Sequence, residues 1–323
     1  VSARDPFRLD GPTIINVSGG RTSAMMLRLL LDANGGALPP DCYAVFANTG
    51  REHPRTLDFV RDFAEAWDVD VRWIERDASA PAGARFREVT HDSAARDGEP
   101  FADLIAQRHY LPNAVARFCT QALKIETARD FMRAQGHETW TSAVGLRRDE
   151  PSRVAKIRAR DHGEWDVAVP LFDARITKAD VMAFWESAPF DLALEPWQSN
   201  CDGCFLKSAS ILERTEREAP GSLAWWSTME RAVGATFVKG RTYLRVIERA
   251  TRPMLPGLLD AEEAVALPCS CTDRRKPRRC TCGKRRGQGH ALSCAMLMGA
   301  ERGPRVIYAD SERAPLALDG RAA

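Results

Sequence analysis

The stretch INVSGGRTSAM, residues 15–25, decides how the chain is read. A β-branched run, PTIINV over 12–17, enters two glycines, and AMMLRLLL beyond them has helical character. Paired glycines let a backbone turn tightly and expose its N–H groups, and a helix start adds further unpaired donors. Gly19 and Gly20 make the turn, Ser18, Thr22 and Ser23 bring hydroxyls, and Arg21 brings a cation. A phosphate or sulfate is the natural guest. Neither GxxxxGK followed by Ser or Thr nor GxGxxG is present, which excludes the Walker A loop and the dinucleotide fingerprint.

Working outward, CYAVFANTG over 42–50 repeats the strand-then-glycine pattern. PRTLDFVRDFAEAW over 54–67 places Leu57, Val60, Phe63 and Trp67 on one helical stripe, with Pro54 suited to a first turn. VDVRWIE over 69–75 supplies a third strand. Strand and helix alternating at this spacing predict a parallel sheet with crossover helices, hence an α/β domain. Residues 78–118 are less regular, with SAPAGA and HDSAARDGEP reading as loops, so an insertion or lid is expected there. A helix over 121–134 precedes ETWTSAVGL, a fourth core strand. AVPLFDARITKADVMAFWE reads as a short extended piece and then a helix capped near Thr177 or Asp180.

Charge is nearly balanced overall, 46 Lys and Arg against 44 Asp and Glu, so bulk charge argues for no polyanionic partner. Its distribution is uneven: RRKPRRCTCGKRR over 274–286 holds eight basic residues and no acid, a surface suited to tRNA or DNA phosphates. The opening VSARDPFRLDGP lacks the basic flank and apolar core of a secretory signal. No run approaches the ~18–20 apolar residues that span a bilayer, so no membrane partner is expected. Six of the nine cysteines fall in close pairs, Cys201/Cys204, Cys269/Cys271 and Cys280/Cys282. Such pairs, without export signals, favour metal or redox chemistry in a reducing cytoplasm over structural disulfides.

SGGRTS resembles the PP-loop, SGGxDS, of the adenine nucleotide α-hydrolase-like superfamily, with Thr22 standing where the family carries Asp. VFANTGREHPRTLDFV, AVARFCTQALKIETARDFM and SAVGLRRDEPSR resemble further motifs of the phosphoadenosine phosphosulfate (PAPS) reductase family. The resemblance covers most of residues 13–155. It implies a parallel-sheet, three-layer PP-loop domain over 1–190, followed by a smaller cysteine-rich region over 191–323. It implies ATP or an adenylyl-sulfate nucleotide held by Ser18, Gly19, Gly20, Arg21, Thr22, Ser23, Asn48, Thr49 and Gly50. On the same rim it places Gly145, Arg147, Asp149 and Arg153. The planar fork of arginine suits phosphate or sulfate. Lys124 would complete the anion clamp, and Asp149 or Glu150 would orient Arg153 or hold Mg²⁺.

NCDGCF over 200–205 is a CxxC with a glycine between its thiols, compatible with a dithiol redox pair, a zinc half-site or an iron–sulfur half-site. The resemblance adds Cys119, on the helix where iron–sulfur members of the family carry two cysteines. It implies a 4Fe–4S cluster on Cys119, Cys201 and Cys204. For these sulfurs to meet, the segment after the α/β core must fold back over the glycine loop. Further on, Cys269, Cys271, Cys280 and Cys282 form CxC-x8-CxC, four thiols suited to zinc. KSASILERTE and AWWSTMERAVG read as packing helices, with Trp225 and Trp226 as core or base-stacking residues. The cysteine-bearing C-terminal motif of PAPS reductases has no match in YADSERAPLALDGRAA. The leading expectation is therefore ATP-dependent adenylation followed by cluster-assisted sulfur transfer to a nucleic acid or small metabolite. Cys119, Lys124, Arg147 and Arg153 are its catalytic candidates, and a sulfur donor its partner. The alternatives are a PAPS or adenosine phosphosulfate (APS) reductase fed by a thiol reductant, and a catalytically inactive nucleotide- and nucleic-acid-binding module.

Overall fold

The computed structural model describes residues 5–195 and 197–252. The β-branched run becomes β1 (Thr13–Val17), and the helix after the glycines is α1 (Arg21–Ala33). Next come β2 (Cys42–Asn48), α2 (Pro54–Ala66) and β3 (Val71–Glu75). α2 starts on the expected Pro54, with His53 as its cap: the imidazole Nδ1 accepts from the backbone N–H of Arg55 at 3.2 Å.

The irregular segment holds more structure than expected. β4 (Arg87–Val89) pairs antiparallel with β3, and α3 (Glu99–Arg108) follows. α3 forms because Phe101, Leu104 and Ile105 recur at helical spacing and all become buried. The helix expected over 121–134 begins earlier, as α4 (Phe118–Thr120), a π-helical stretch (Gln121–Glu126) and α5 (Thr127–Ala134). Within it the Thr127 hydroxyl donates to the carbonyl of Ala122 at 2.9 Å.

β5 (Trp140–Val144), α6 (Pro151–Arg158), β6 (Trp165–Ala168), α7 (Pro170–Asp173) and α8 (Lys178–Glu186) complete the core. α8 opens on a capping box, Thr177 and Asp180 each satisfying the other's backbone N–H. α9 (Ala209–Glu218), α10 (Ala224–Val233) and α11 (Tyr243–Ala250) follow.

The sheet order is β4-β3-β2-β1-β5-β6, parallel except for β4. Alternation along each strand sorts the side chains into two cores. Ile15, Val17, Phe46 and Trp73 face α1, α2 and α8, where Phe59, Phe63 and Trp185 pack. Ile14, Val45 and Ile74 face α5, against Phe131 and Met132. The chain leaves β1 toward β2 and returns to its other side as β5, so the crevice beyond Val17 and Val144 is the topological switch point, where open α/β sheets bind ligands.

The expectation of a separate cysteine-rich region is corrected in its described part. Residues through Arg252 belong to one contact unit, and Cys201 and Cys204 lie within it. α9–α11 form a helical layer around Trp226, Phe237 and Tyr243, continuous with Phe101, Phe118 and Leu123. Among the described residues no helix is long and apolar enough to cross a membrane.

Candidate functional site

The glycine loop is held from below. Gly19 adopts φ +73°, and a Cβ there would lie 2.4 Å from Thr56 Cγ2 and 3.2 Å from Phe46. Ser23 ties the loop to its helix: its hydroxyl donates to the carbonyl of Gly20 and accepts the N–H of Ser18, each at 3.0 Å. Gly20 occupies the N-cap of α1 without a side-chain bond to the helix. The helix start therefore keeps donors for a guest anion. Arg21 is not one of the free cations, because its guanidinium forks onto Asp191.

On the facing rim, Gly145 packs so closely on α1 that a Cβ would lie 3.3 Å from Ser23 Cα. Arg147 Nη1 donates to Thr22 Oγ1 at 3.2 Å, and its Nε donates to Asp149 at 3.1 Å. That guanidinium holds the Asp149 carboxyl below its ordinary value. Arg153 is paired with Glu150 and its side chain is largely exposed, 68%. Thr22, in the place of the family's Asp, thus acts as an acceptor for an arginine. Beside this rim, a cavity of about 350 Å³ opens between β1, β5 and the π-helical stretch, lined by Asn16, Lys124, Trp140, Ser142 and Trp165.

Asn48 and Thr49 are buried and fully engaged. Asn48 donates to Glu75 at 2.7 Å and to the Ala95 carbonyl at 2.8 Å, and accepts the N–H of Gly50 at 3.1 Å. Gly50 takes φ +78°, which lets it pass Gly98 closely. The Thr49 hydroxyl and N–H both meet Glu52, whose carboxylate is wholly buried and pairs with Lys124 at 3.3 Å. Burial opposes the charge on Lys124, but Glu52 together with Cys201 and Cys119 outweighs it and holds the ammonium above its ordinary value.

A strap over 197–207 folds back over the glycine loop and closes the crevice. Asn200 donates to the Ser18 carbonyl, accepts the N–H of His53 at 2.6 Å, and lies 3.5 Å from where a Gly20 Cβ would stand. Cys201 forms a β-bridge with Glu52, and Asp202 binds Arg51 and accepts from Trp226 Nε1 at 3.0 Å. Cys119, Cys201 and Cys204 are all free thiols. Burial, with a smaller part from Cys204, pushes the Cys119 thiol up, and burial followed by Glu52 pushes Cys201 up strongly. Burial lowers Lys207, beside Cys201 and Cys204.

The metal expectation is overturned. Among the described residues no group of three or more His, Cys, Asp or Glu side chains is arranged to hold a metal ion. The iron–sulfur cluster on Cys119, Cys201 and Cys204 is therefore withdrawn, and with it ATP-dependent adenylation coupled to cluster-assisted sulfur transfer. The local electrostatics give a reason: Lys124 and Lys207 already supply positive charge to these sulfurs, and the protein around Cys201 disfavours its thiolate, the form that ligates. Mg²⁺ fails on the same finding, since Asp149 and Glu150 are engaged by Arg147 and Arg153. Cys269, Cys271, Cys280 and Cys282, expected to hold zinc, and the basic segment 274–286 lie outside the described residues.

Sequence reasoning missed Glu52 as the anchor of Lys124, Asp191 as the partner of Arg21, and Asn200 as the cover of the loop. Only Asn200 carried a signal, its place beside the CxxC.

The family model described as phosphoadenosine phosphosulfate reductase domain matches residues 12–185. An uncharacterized nin region protein, ORF290, of Escherichia phage lambda is 30% identical over 201 residues, 60% of this chain and 66% of that protein. The chain thus spans just under two thirds of that relative. A PAPS reductase from Candida auris, solved as a phosphate complex, aligns at 15% identity and TM-score 0.36, covering 56% of this chain and 76% of that one. A U34-tRNA thiolase, NcsA, from Methanococcus maripaludis, solved with its 4Fe–4S cluster, aligns at 15% identity and TM-score 0.33, covering 76% and 82%.

Proposed function

Because the chain belongs to the phosphoadenosine phosphosulfate reductase family, within the PP-loop superfamily, we propose that it binds an adenylyl-sulfate nucleotide and reduces it with thiols to sulfite. The observation that carries this reading is a free thiol, Cys119, on the same helix as an ammonium, Lys124, paired with the buried Glu52 at 3.3 Å. The loop 18–23 and the start of α1 receive the nucleotide's phosphate, with Arg147 balancing its charge from the facing rim. The cavity beside Lys124 has a volume suited to the nucleoside.

Burial, with a smaller part from Cys204, pushes the Cys119 thiol up, so a nearby cation is what the thiolate needs. Lys124 supplies that cation, and it also meets the negative charge that develops on the sulfonyl oxygens. The Cys119 sulfur attacks the sulfonyl sulfur, the S–O bond to the nucleotide breaks, and the nucleotide phosphate leaves with the bonding pair. A second thiol then releases sulfite. A reducing cytoplasm, where such thiols stay free, suits this chemistry.

The test is an anaerobic assay of the purified protein with adenosine 5′-phosphosulfate or its 3′-phosphorylated form, excess dithiothreitol and no ATP. Sulfite release that disappears in Cys119→Ser is expected. Binding of either nucleotide without sulfite from both would reject the proposal.

A further inference from the structure

The floor of the cavity beside Lys124 comes from two neighbouring strands, Ile14 and Asn16 on β1 and Trp140, Ser142 and Val144 on β5. Alternate residues of a strand share a face, so these side chains look out on one side of the sheet. Ile14, Trp140 and Val144 make a surface suited to a flat ring, and Trp140 is itself stacked on Trp165 at 5.6 Å. Asn16 and Ser142 are the polar pair among them. Asn16 Nδ2 donates to the Ala143 carbonyl at 3.0 Å and to Ser142 Oγ at 2.9 Å. A carbonyl oxygen can only accept, so this contact fixes which way the amide points, and both amide hydrogens are engaged. Asn16 Oδ1 has no partner among the described residues, and Ser142, having accepted from the amide, keeps its own hydroxyl proton to give.

Resting on the nucleotide reading above, we infer that Asn16 and Ser142 select the base, and that the base they select is adenine. The pair offers one acceptor beside one donor. Adenine carries the matching edge, an amino group at C6 that donates beside a ring nitrogen, N1, that accepts. The amino group donates to Asn16 Oδ1, and N1 accepts from Ser142 Oγ. Hypoxanthine and guanine carry an oxygen at C6, which would meet Asn16 Oδ1 lone pair to lone pair. Asn16 cannot turn its amide to relieve this without losing its bond to Ala143. Cytosine shares the amino edge but has one ring, so it leaves more of the cavity's apolar wall uncovered. The place also fits the phosphate site. Asn16 stands two residues before Ser18, about 6.6 Å along an extended chain, so a base on Asn16 leaves room for a sugar beneath the glycine loop. Asn48 and Thr49, by contrast, give their side-chain donors to Glu75, Ala95 and Glu52.

The full chain is titrated by calorimetry with AMP, IMP and CMP, which carry no sulfate and so report binding apart from any reduction. The wild type is expected to bind AMP about tenfold or more tighter than either of the others. Ser142→Ala should weaken AMP about tenfold, and Asn16→Ala should bring AMP and IMP to within about twofold of each other. Photolysis of bound 2-azido-AMP on the wild type should label peptides that line the cavity, over 120–129 or 140–144. IMP or CMP binding as tightly as AMP, no binding of AMP, a ratio unchanged in both variants, or a label confined to 48–50 would each overturn the base assignment. The reductase reading is decided separately, by sulfite release from the phosphosulfates on the same preparation. The wild-type affinities and the label settle the base assignment even where a variant fails to fold.

Discussion

Gly19 shows how much one side chain can cost at this site. Its φ of +73° is strained for any L residue, and its Cβ would overlap a methyl of Thr56. Gly19→Ala is expected to destabilise the chain by about 1–3 kcal/mol and to abolish nucleotide binding, read from urea midpoints and titration. Gly20→Ala, at φ −106° with its nearest neighbour at 3.5 Å, should cost under ~1 kcal/mol. Equal losses in the two variants would remove the distinction. Both glycines were legible in the sequence, because turn chemistry is local. Glu52 was not, since its value comes from Lys124, seventy-two residues away, and from a burial that only the assembled fold creates. In NTGREHP, Glu52 and His53 read equally as facing the pocket or as a solvated helix entry, and nothing there names Lys124 as a partner.

At the scale of elements, α1 is fastened at both of its functions: its N-terminus faces the crevice, and its first residue grips Asp191 in the segment after α8. The hydrogen bond from Arg21 holds the Asp191 carboxyl below its ordinary value of ~3.9. A depressed carboxylate contributes stability that is present above the unfolded value and is lost as pH falls through the folded one. Asp191→Asn should therefore lower stability at pH ~7 and lose that deficit in acid, once pH has fallen through the folded value. The loss should stay under ~1 kcal/mol, because the carboxylate is 36% exposed. Urea midpoints at the two pH values measure it, and a gap unchanged by acid would exclude the ion pair as its source. β1, α1, β2, α2 and the capped α8 were readable because period and capping are written within each element. The π-helical stretch was not. At ~100° per residue an α-helix would send Cys119 and Lys124, five apart, to different sides. The wider winding of an i→i+5 ladder brings them toward one face. That choice is made by packing of Ala122 and Leu123 in the core, and spacing counted on an ordinary helix misses it.

For the whole molecule, the strap joins the helical layer α9–α11 to the sheet. Arg51 and Asp202 pair with little exposure, Trp225 stacks on the Arg51 guanidinium at 5.3 Å, and Trp226 anchors Asp202. Trp225 and Trp226 therefore serve the core. Arg51→Met leaves a buried carboxylate without its cation and should cost about 3 kcal/mol or more. Faster amide exchange in α9–α11 and weaker nucleotide binding are expected together, and loss of binding with exchange unchanged would show that the strap does not couple the two. The same strap sets a timetable. Asn200 closes on Ser18 across 182 residues of chain. At ~5–20 residues per second, a ribosome delivers that cover on the order of ten seconds after the loop it covers. A nascent chain thus owns an anion cradle and Cys119 before it owns the cover, and any phosphate caught early sits in an open crevice. Competence arrives with the strap, late and all at once.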